Sequence, residues 1–324
     1  MKIKYIFVIF FILFLIGCQS QLYKIEKTEE MMGTFVTITI IDRNTRNAKT
    51  AIKEAFDEIK RIENIMSNFN ESSEVYQLNE KGYLDDVSNE LLFVLKKSLY
   101  YSNVSKGTFD VTVQPLLDLY QESYSKKGVA PTDYEIQQKK EFVDYKNIII
   151  DNKTVIFAKK GMKITLGGIA KGYAIDRAIL ILEKHDIKNA LVNAGGDLKA
   201  IGTKQHEKPW TIALQNPRDS TDFITIISIH NKAIATSGDY ERYFVENKSA
   251  HHIMDPRTGK SATELISVTI IAKNAIDADA LATSVFVLGA DRGLDLIRKE
   301  KAEGLIITKD KEIFMTDGFK ELEE

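Results

Sequence analysis

Three short stretches concentrate the residue types able to do chemistry: Leu166-Gly-Gly-Ile-Ala-Lys-Gly-Tyr-Ala-Ile-Asp176, Asn193-Ala-Gly-Gly-Asp197 and Asp277-Ala-Asp-Ala-Leu-Ala-Thr283. Glycines let backbone amides come close to a phosphate. Asp279 stands one helical turn before Thr283, so a carboxylate and a hydroxyl can present hard oxygens on one face, the donor type Mg²⁺ prefers. Together the stretches read as a nucleotide and metal site. Familiar phosphate motifs are absent: no Gly-Lys-Ser/Thr follows a four-residue gap, and Gly-x-Gly-x-x-Gly does not occur. What remains is a glycine pair opening a helix whose first turns carry Lys171, a geometry that can hold an anion with amides and the helix dipole.

Each stretch also has a plain structural reading. Gly167 and Gly168 could serve only a tight turn. Asp279 could cap its own helix while Thr283 bonds back to a carbonyl. Asp277 lies roughly 160° from Asp279 around a helix of about 100° per residue, so it is expected to cap the helix N-terminus rather than share an ion. In the polar turn His251-His-Ile-Met-Asp-Pro-Arg-Thr-Gly259, one imidazole could act as a general base near neutrality. No His-x-x-x-His spacing or neighbouring Cys suggests zinc. Ser237-Gly-Asp-Tyr240 lacks the glycines of a nucleophile elbow.

The elements that must position these residues follow from periodicity. Residues 34–41 alternate β-branched types and predict a strand. Ile52, Ala55, Phe56, Ile59, Ile62 and Met66 then recur at helical spacing. A helix is predicted over 91–101, and the charged stretch 120–141, holding Gly128 and Pro131, is expected to be a loop or subdomain boundary. Strands are predicted near 147–151, 154–158, 163–166, 189–193, 210–215, 225–229, 233–236, 243–245 and 267–272. Helices are predicted near 169–185, 277–288 and 291–301, with a terminal strand pair. Strands outnumber helices and several are sequence neighbours, so an α+β fold is preferred over a doubly wound parallel sheet.

The N-terminus carries an address. Lys2 and Lys4 precede an apolar run ending at Ile16, too short to span a bilayer, which needs about 20 apolar residues, and typical of a secretory signal. Leu15-Ile-Gly-Cys18 resembles the bacterial lipobox, whose Cys is acylated. The expected organisation is a signal peptide over 1–17, a lipidated tether over 18–30 and one domain over 31–324, on the extracytoplasmic side of the cell membrane. Cys18 is the single cysteine of the chain, so the folded body has no disulfide, thiolate metal site or Cys nucleophile. The net charge of −2 includes Lys2 and Lys4, and without a basic stripe a nucleic-acid partner is not expected.

Taken in order, the motifs resemble those of the ApbE family, the FAD:protein FMN transferases. The resemblance runs through Met32-Gly-Thr34, Met66-Ser-Asn-Phe69, Gly107-Thr-Phe-Asp-Val-Thr112, Gly167 to Asp176, Asn193 to Asp197, Thr236-Ser-Gly-Asp-Tyr240, His252-Ile-Met-Asp-Pro256 and Asp279 to Thr283. It implies a two-subdomain α+β body with mixed or antiparallel sheets and flanking helices, FAD in the cleft and Mg²⁺ at its diphosphate. Met32, Phe69, Thr108, Phe109, Asp110, Thr165, Lys171 and Met254 would line FAD. Gly168, through its carbonyl, Asp279 and Thr283 would hold the ion, and His252 would be the base. Many relatives carry an acidic residue where Thr165 stands, and some a second Asp where this chain has Ala282, which leaves more of the metal shell to water.

The chemistry so implied is attack of a Ser or Thr hydroxyl of another protein on the FMN phosphorus of FAD, with AMP leaving. The acceptor would be an exported or membrane-bound electron-transfer subunit. Hydrolysis of FAD to FMN and AMP at the same site, or a surface lipoprotein that only binds flavin, are the competing expectations. A bare binder has no need of the Asp279 and Thr283 pair.

Overall fold

The computed structural model describes residues 21–246 and 248–324, so the signal and Cys18 lie outside the described residues. The chain opens with β1 (Tyr23–Met31) and β2 (Thr34–Asp42), an antiparallel hairpin closed by Met32 and Gly33, both at positive φ. β1 buries little beyond Met31. The body therefore begins at Tyr23, inside the stretch expected to be tether: a charged, exposed strand can pair at an edge without an apolar pattern, and Lys and Glu there discourage further pairing.

Helices α1 (Thr45–Met66), α2 (Glu74–Lys81), α3 (Asn89–Val104), α4 (Gln114–Glu122) and α5 (Asp133–Lys140) follow, with β3 (Tyr83–Leu84) after α2. The stretch 120–141 is thus partly helical. Thr132 and Glu135 form a reciprocal capping box that starts α5. β4 (Ile148–Asp151) and β5 (Thr154–Phe157) make a small antiparallel sheet with β3.

No strand forms over 163–166, although Met162, Ile164 and Leu166 are buried in alternation. Side chains take the place of a neighbouring strand: Ile164 N donates to Asn79 Oδ1, its carbonyl accepts from Asn79 and Asn68, and Thr165 N donates to the Val111 carbonyl. The stretch 243–245 makes only an isolated bridge between Tyr243 and His251.

The second half contributes α6 (Ala170–Lys184), β6 (Ala190–Ala194), β7 (Asp197–Ile201), β8 (Trp210–Asn216), β9 (Asp219–Ile229), β10 (Ala233–Gly238), β11 (Met254–Asp255), β12 (Lys260–Ser261) and β13 (Leu265–Ala272). It ends with α7 (Ala275–Leu288), α8 (Ala290–Lys299), β14 (Glu303–Thr308), β15 (Ile313–Met315) and α9 (Asp317–Lys320). The main sheet has eight strands in the order β1-β2-β6-β7-β10-β13-β14-β15, antiparallel at every junction. Helices and antiparallel sheets in one body make the fold α+β.

Both faces of the sheet are covered. Val36, Ile38, Ile40, Val268 and Ile270 pack under α1, α6 and α7. On the other face Ile41, Leu198, Ile234, Ile266 and Ile271 meet Trp210, Ile227 and Ile229 of the β8–β9 ribbon and Phe319 of α9. β13 is consequently buried on both sides, from Leu265 through Ile271, with Ser267 and Thr269 among its buried residues.

Candidate active site

The chemistry-bearing stretches converge because α6 and α7 begin side by side and cap each other. The first amides of a helix have no partner inside it. Asp176 of α6 accepts from Ala275 N and Ile276 N at the start of α7, at 3.1 and 3.0 Å. Asp279 of α7 returns the favour at 3.0 Å, its Oδ2 accepting from Gly172 N in the first turn of α6. The approach is so close that a Cβ on Gly172 would overlap the Ala275 carbonyl.

Asp277 is not the cap expected from sequence. Its carboxylate accepts from Lys97 Nζ at 2.7 Å, Tyr101 Oη at 3.0 Å and the Asn274 side chain at 3.0 Å, tying α7 to α3. Nor does Thr283 bond back into its own helix: its Oγ1 pairs with Ser237 Oγ at 3.2 Å.

A cleft of about 270 Å³ opens at this junction. Gly168, Lys171, Asp279 and Thr283 line it together with Thr108, Phe109, Asp110, Thr165, His252 and Met254. A Cβ on Gly168 would stand 2.9 Å from Thr283 Oγ1 and 3.4 Å from the Phe109 ring, so a side chain there would fill the space in front of the hydroxyl.

Two sequence candidates are not among the lining residues. Met32 sits in the hairpin turn with its N donating to Glu63 Oε1 at 2.8 Å, and packs on the core, while its neighbours Gly33 and Thr34 line the cleft. Phe69 is 90% exposed; its neighbour Asn68 bonds the Ile164 carbonyl, which adjoins Thr165.

Two others face the cleft with their polar groups already engaged. The Thr108 hydroxyl is directed at the Ser105 and Ser284 carbonyls. Asp110 accepts from Thr112 N, Thr112 Oγ1 and Tyr145 N, while burial pushes its pKa up to about 6. Their part in the wall is shape more than free hydrogen-bonding capacity.

The electrostatics centre on a residue to which sequence reasoning gave no role. Asp197, 3% exposed at the start of β7, holds Lys171 Nζ at 2.6 Å through Oδ2 and accepts from Thr236 N at 3.0 Å through Oδ1. Burial alone would lower the pKa of Lys171, but the charges of Asp197 and then Asp279 outweigh it and raise the value. Asp279 is driven above the ordinary carboxylate range by burial first and by the charge of Asp197 second. The signal for Asp197 was its place in Asn193-Ala-Gly-Gly-Asp197, but only the β6–β7 hairpin shows that it meets Lys171. Thr34, Ser237, Glu241 and Arg242 also line the cleft.

The neighbouring histidines divide cleanly. His251 is buried and saturated, with Nε2 at 2.8 Å from the Ala262 carbonyl and Nδ1 accepting from Ile253 N. His252 has Nδ1 at 3.0 Å from the Arg242 carbonyl. A carbonyl only accepts, so Nδ1 carries the hydrogen and the lone pair lies on Nε2. Burial pushes the His252 pKa down to about 4, so the ring is neutral at pH 7.

The family model described as the ApbE family matches residues 32–306. The chain belongs to the ApbE family. An FAD:protein FMN transferase of Vibrio cholerae is 30% identical over 317 residues, covering 96% of this chain and 93% of its own. One from Haemophilus influenzae is 29% identical over 327 residues, covering 96% and 94%. Among solved structures, the ApbE protein of Thermotoga maritima gives a TM-score of 0.85 at 37% identity, covering 94% of this chain and 100% of that one. The flavin transferase ApbE of Vibrio cholerae gives 0.84 at 28% identity, covering 93% and 100%.

Proposed function

We propose that this chain is an FAD:protein FMN transferase that moves the FMN half of FAD to a Ser or Thr hydroxyl of an acceptor protein and releases AMP. The observation that carries the reading is the convergence of Gly168, Lys171, Asp279, Thr283 and His252 on one cleft of an ApbE-family chain. The donor set fits Mg²⁺. Among the described residues Asp279 uses Oδ2 alone, Thr283 adds a hydroxyl, and the missing side chain at Gly168 leaves room before it. Gly168, Asp279 and Thr283 would hold the ion, which supplies charge neutralisation at the diphosphate and makes AMP a better leaving group.

The residues of the chain do the rest. Lys171 would face the diphosphate, with Thr108, Phe109, Asp110, Thr165 and Met254 shaping the flavin site and Met32 and Phe69 at its margin. His252, neutral with its lone pair on Nε2, accepts the proton of the acceptor hydroxyl as that oxygen bonds to the FMN phosphorus. The phosphorus–oxygen bond to AMP breaks in the same displacement. The body has no cysteine, Ser237 lacks the glycines of a nucleophile elbow and its hydroxyl pairs with that of Thr283, so the attacking oxygen is assigned to the acceptor protein.

We further place the protein at the bacterial membrane, lipid-anchored through Cys18, with an exported or membrane-bound electron-transfer flavoprotein as acceptor; Leu15-Ile-Gly-Cys18 supports the anchor. An unmodified Cys18 in membrane-associated protein, seen by mass spectrometry, would overturn that part. The reaction is tested by following AMP release from FAD and Mg²⁺ with and without an acceptor domain. Release that requires the acceptor is the expected result, and equal release without it would make the chain a hydrolase.

A further inference from the structure

We infer that Asp197 is a positioning residue whose task is to hold the Lys171 ammonium away from Asp279, leaving that carboxylate open to a divalent cation. The inference rests on the metal site proposed above and concerns a residue outside it. The dipeptide Lys171-Gly172 serves two buried carboxylates at once: its side chain goes to Asp197 at 2.6 Å, and its second amide goes to Asp279 at 3.0 Å. Lys171 is therefore bonded to one acid and shares the cleft with the second, close enough to Asp279 to feel its charge. An ammonium there will bind whichever carboxylate is better presented.

Asp197 is better presented for structural reasons. Its Oδ1 is fixed by Thr236 N from β10, and its backbone by the β6–β7 ladder, where Asp197 pairs with Ala194. These contacts orient the carboxylate with Oδ2 towards Lys171. Asp279 keeps one oxygen on Gly172 N and presents the other. Remove the charge at 197, and of the acids still acting on the ammonium Asp279 acts more strongly than Glu241; bonded there, the ammonium would occupy the oxygen a cation needs. Partners one shell away from a metal commonly change its affinity by about 10- to 100-fold.

The test is Mn²⁺ binding to the full chain without FAD, followed by electron paramagnetic resonance, which also reads weak binding and needs no turnover. Asp197→Asn should lower Mn²⁺ affinity by about 10-fold or more, and adding Lys171→Met to it should restore the affinity. A metal-free crystal structure of Asp197→Asn should find Lys171 Nζ hydrogen-bonded to Asp279. Should Asp197→Asn not fold, Lys171→Met alone must bind Mn²⁺ at least as tightly as the parent. Unchanged affinity in Asp197→Asn, no rescue by the second substitution, weaker binding by Lys171→Met alone, or an ammonium that stays beside residue 197 would each overturn the inference while leaving the metal site standing. No Mn²⁺ bound by the parent protein would overturn the metal site and the inference with it.

Discussion

One wall of the cleft is two helices that cap each other with buried carboxylates and a glycine contact; another comes from the stretch 239–253, whose described residues run as turns, bends and a single bridge between Tyr243 and His251. The first wall is held by groups that are costly to expose, because each buried acid has a named donor. The second is anchored at its ends, by a bidentate Arg218–Asp239 pair at 2.7 and 2.6 Å and by the Arg242 carbonyl, which accepts from both His252 N and His252 Nδ1. The difference matches the demands of the reaction. In the reaction proposed above, a diphosphate and an ion would need fixed donors in place before they arrive, whereas a protein acceptor would reach His252 from outside.

The sharpest way to break this comparison is at the helix wall. Asp279→Ala should reduce Mg²⁺-dependent transfer by about 10³-fold, the size of a lost metal site worth several kcal/mol, as measured by acceptor labelling across a Mg²⁺ titration. Full activity at limiting Mg²⁺ would remove the ion from that wall.

His252→Ala should slow transfer by about 10²-fold or more, the usual weight of a general base, while FAD binding by flavin fluorescence stays close to that of the parent. The pH dependence gives the same residue a second test. With its pKa lowered to about 4, His252 is deprotonated, and so able to act as base, throughout neutral pH. The His252 limb of the kcat/KM profile should therefore fall away as pH drops towards 4, not near 6.5; a limb at 6.5 that vanishes in His252→Ala would show that the ring is solvated in the working enzyme.

Gly172→Ala probes the packing of the helix wall rather than its charge. The added methyl must push α6 off the Ala275 carbonyl, and the expected loss is about 2 kcal/mol or more of stability in a denaturant melt. Arg218→Ala, at the anchored end of the other wall, should cost only about 1 kcal/mol, since one partner is partly exposed. Its clearer trace should be a higher KM for the acceptor with FAD affinity unmoved. An equal loss of FAD affinity would mean the two walls are not independent.

The same contrast decides what could be read from sequence. β2 and α1 were legible because their apolar residues repeat at the period of the element. Asp279 and Thr283 were legible as a pair because one helix carries both. β1 was not, since an edge strand buries almost nothing, and α5 was not, since only Ile136 of that helix is buried. The Thr132-Asp-Tyr-Glu135 capping box was the signal available for α5. Residues 163–166 misled for the opposite reason: they have a strand's alternation, but Asn79, Asn68 and Val111 satisfy their backbone. Asp197 escaped assignment because its partner Lys171 comes from another element, and the sequence alone could not tell that His251 engages both ring nitrogens while His252, among the described residues, engages Nδ1.

The most direct test of the whole account is the intact mass of an acceptor domain after incubation with this protein, FAD and Mg²⁺. The account requires a gain of one FMN, less water, on a single Ser or Thr, with AMP in equal amount and no gain when Asp279→Ala replaces the parent. An unmodified acceptor accompanied by free FMN would contradict it and leave a cleft that hydrolyses FAD.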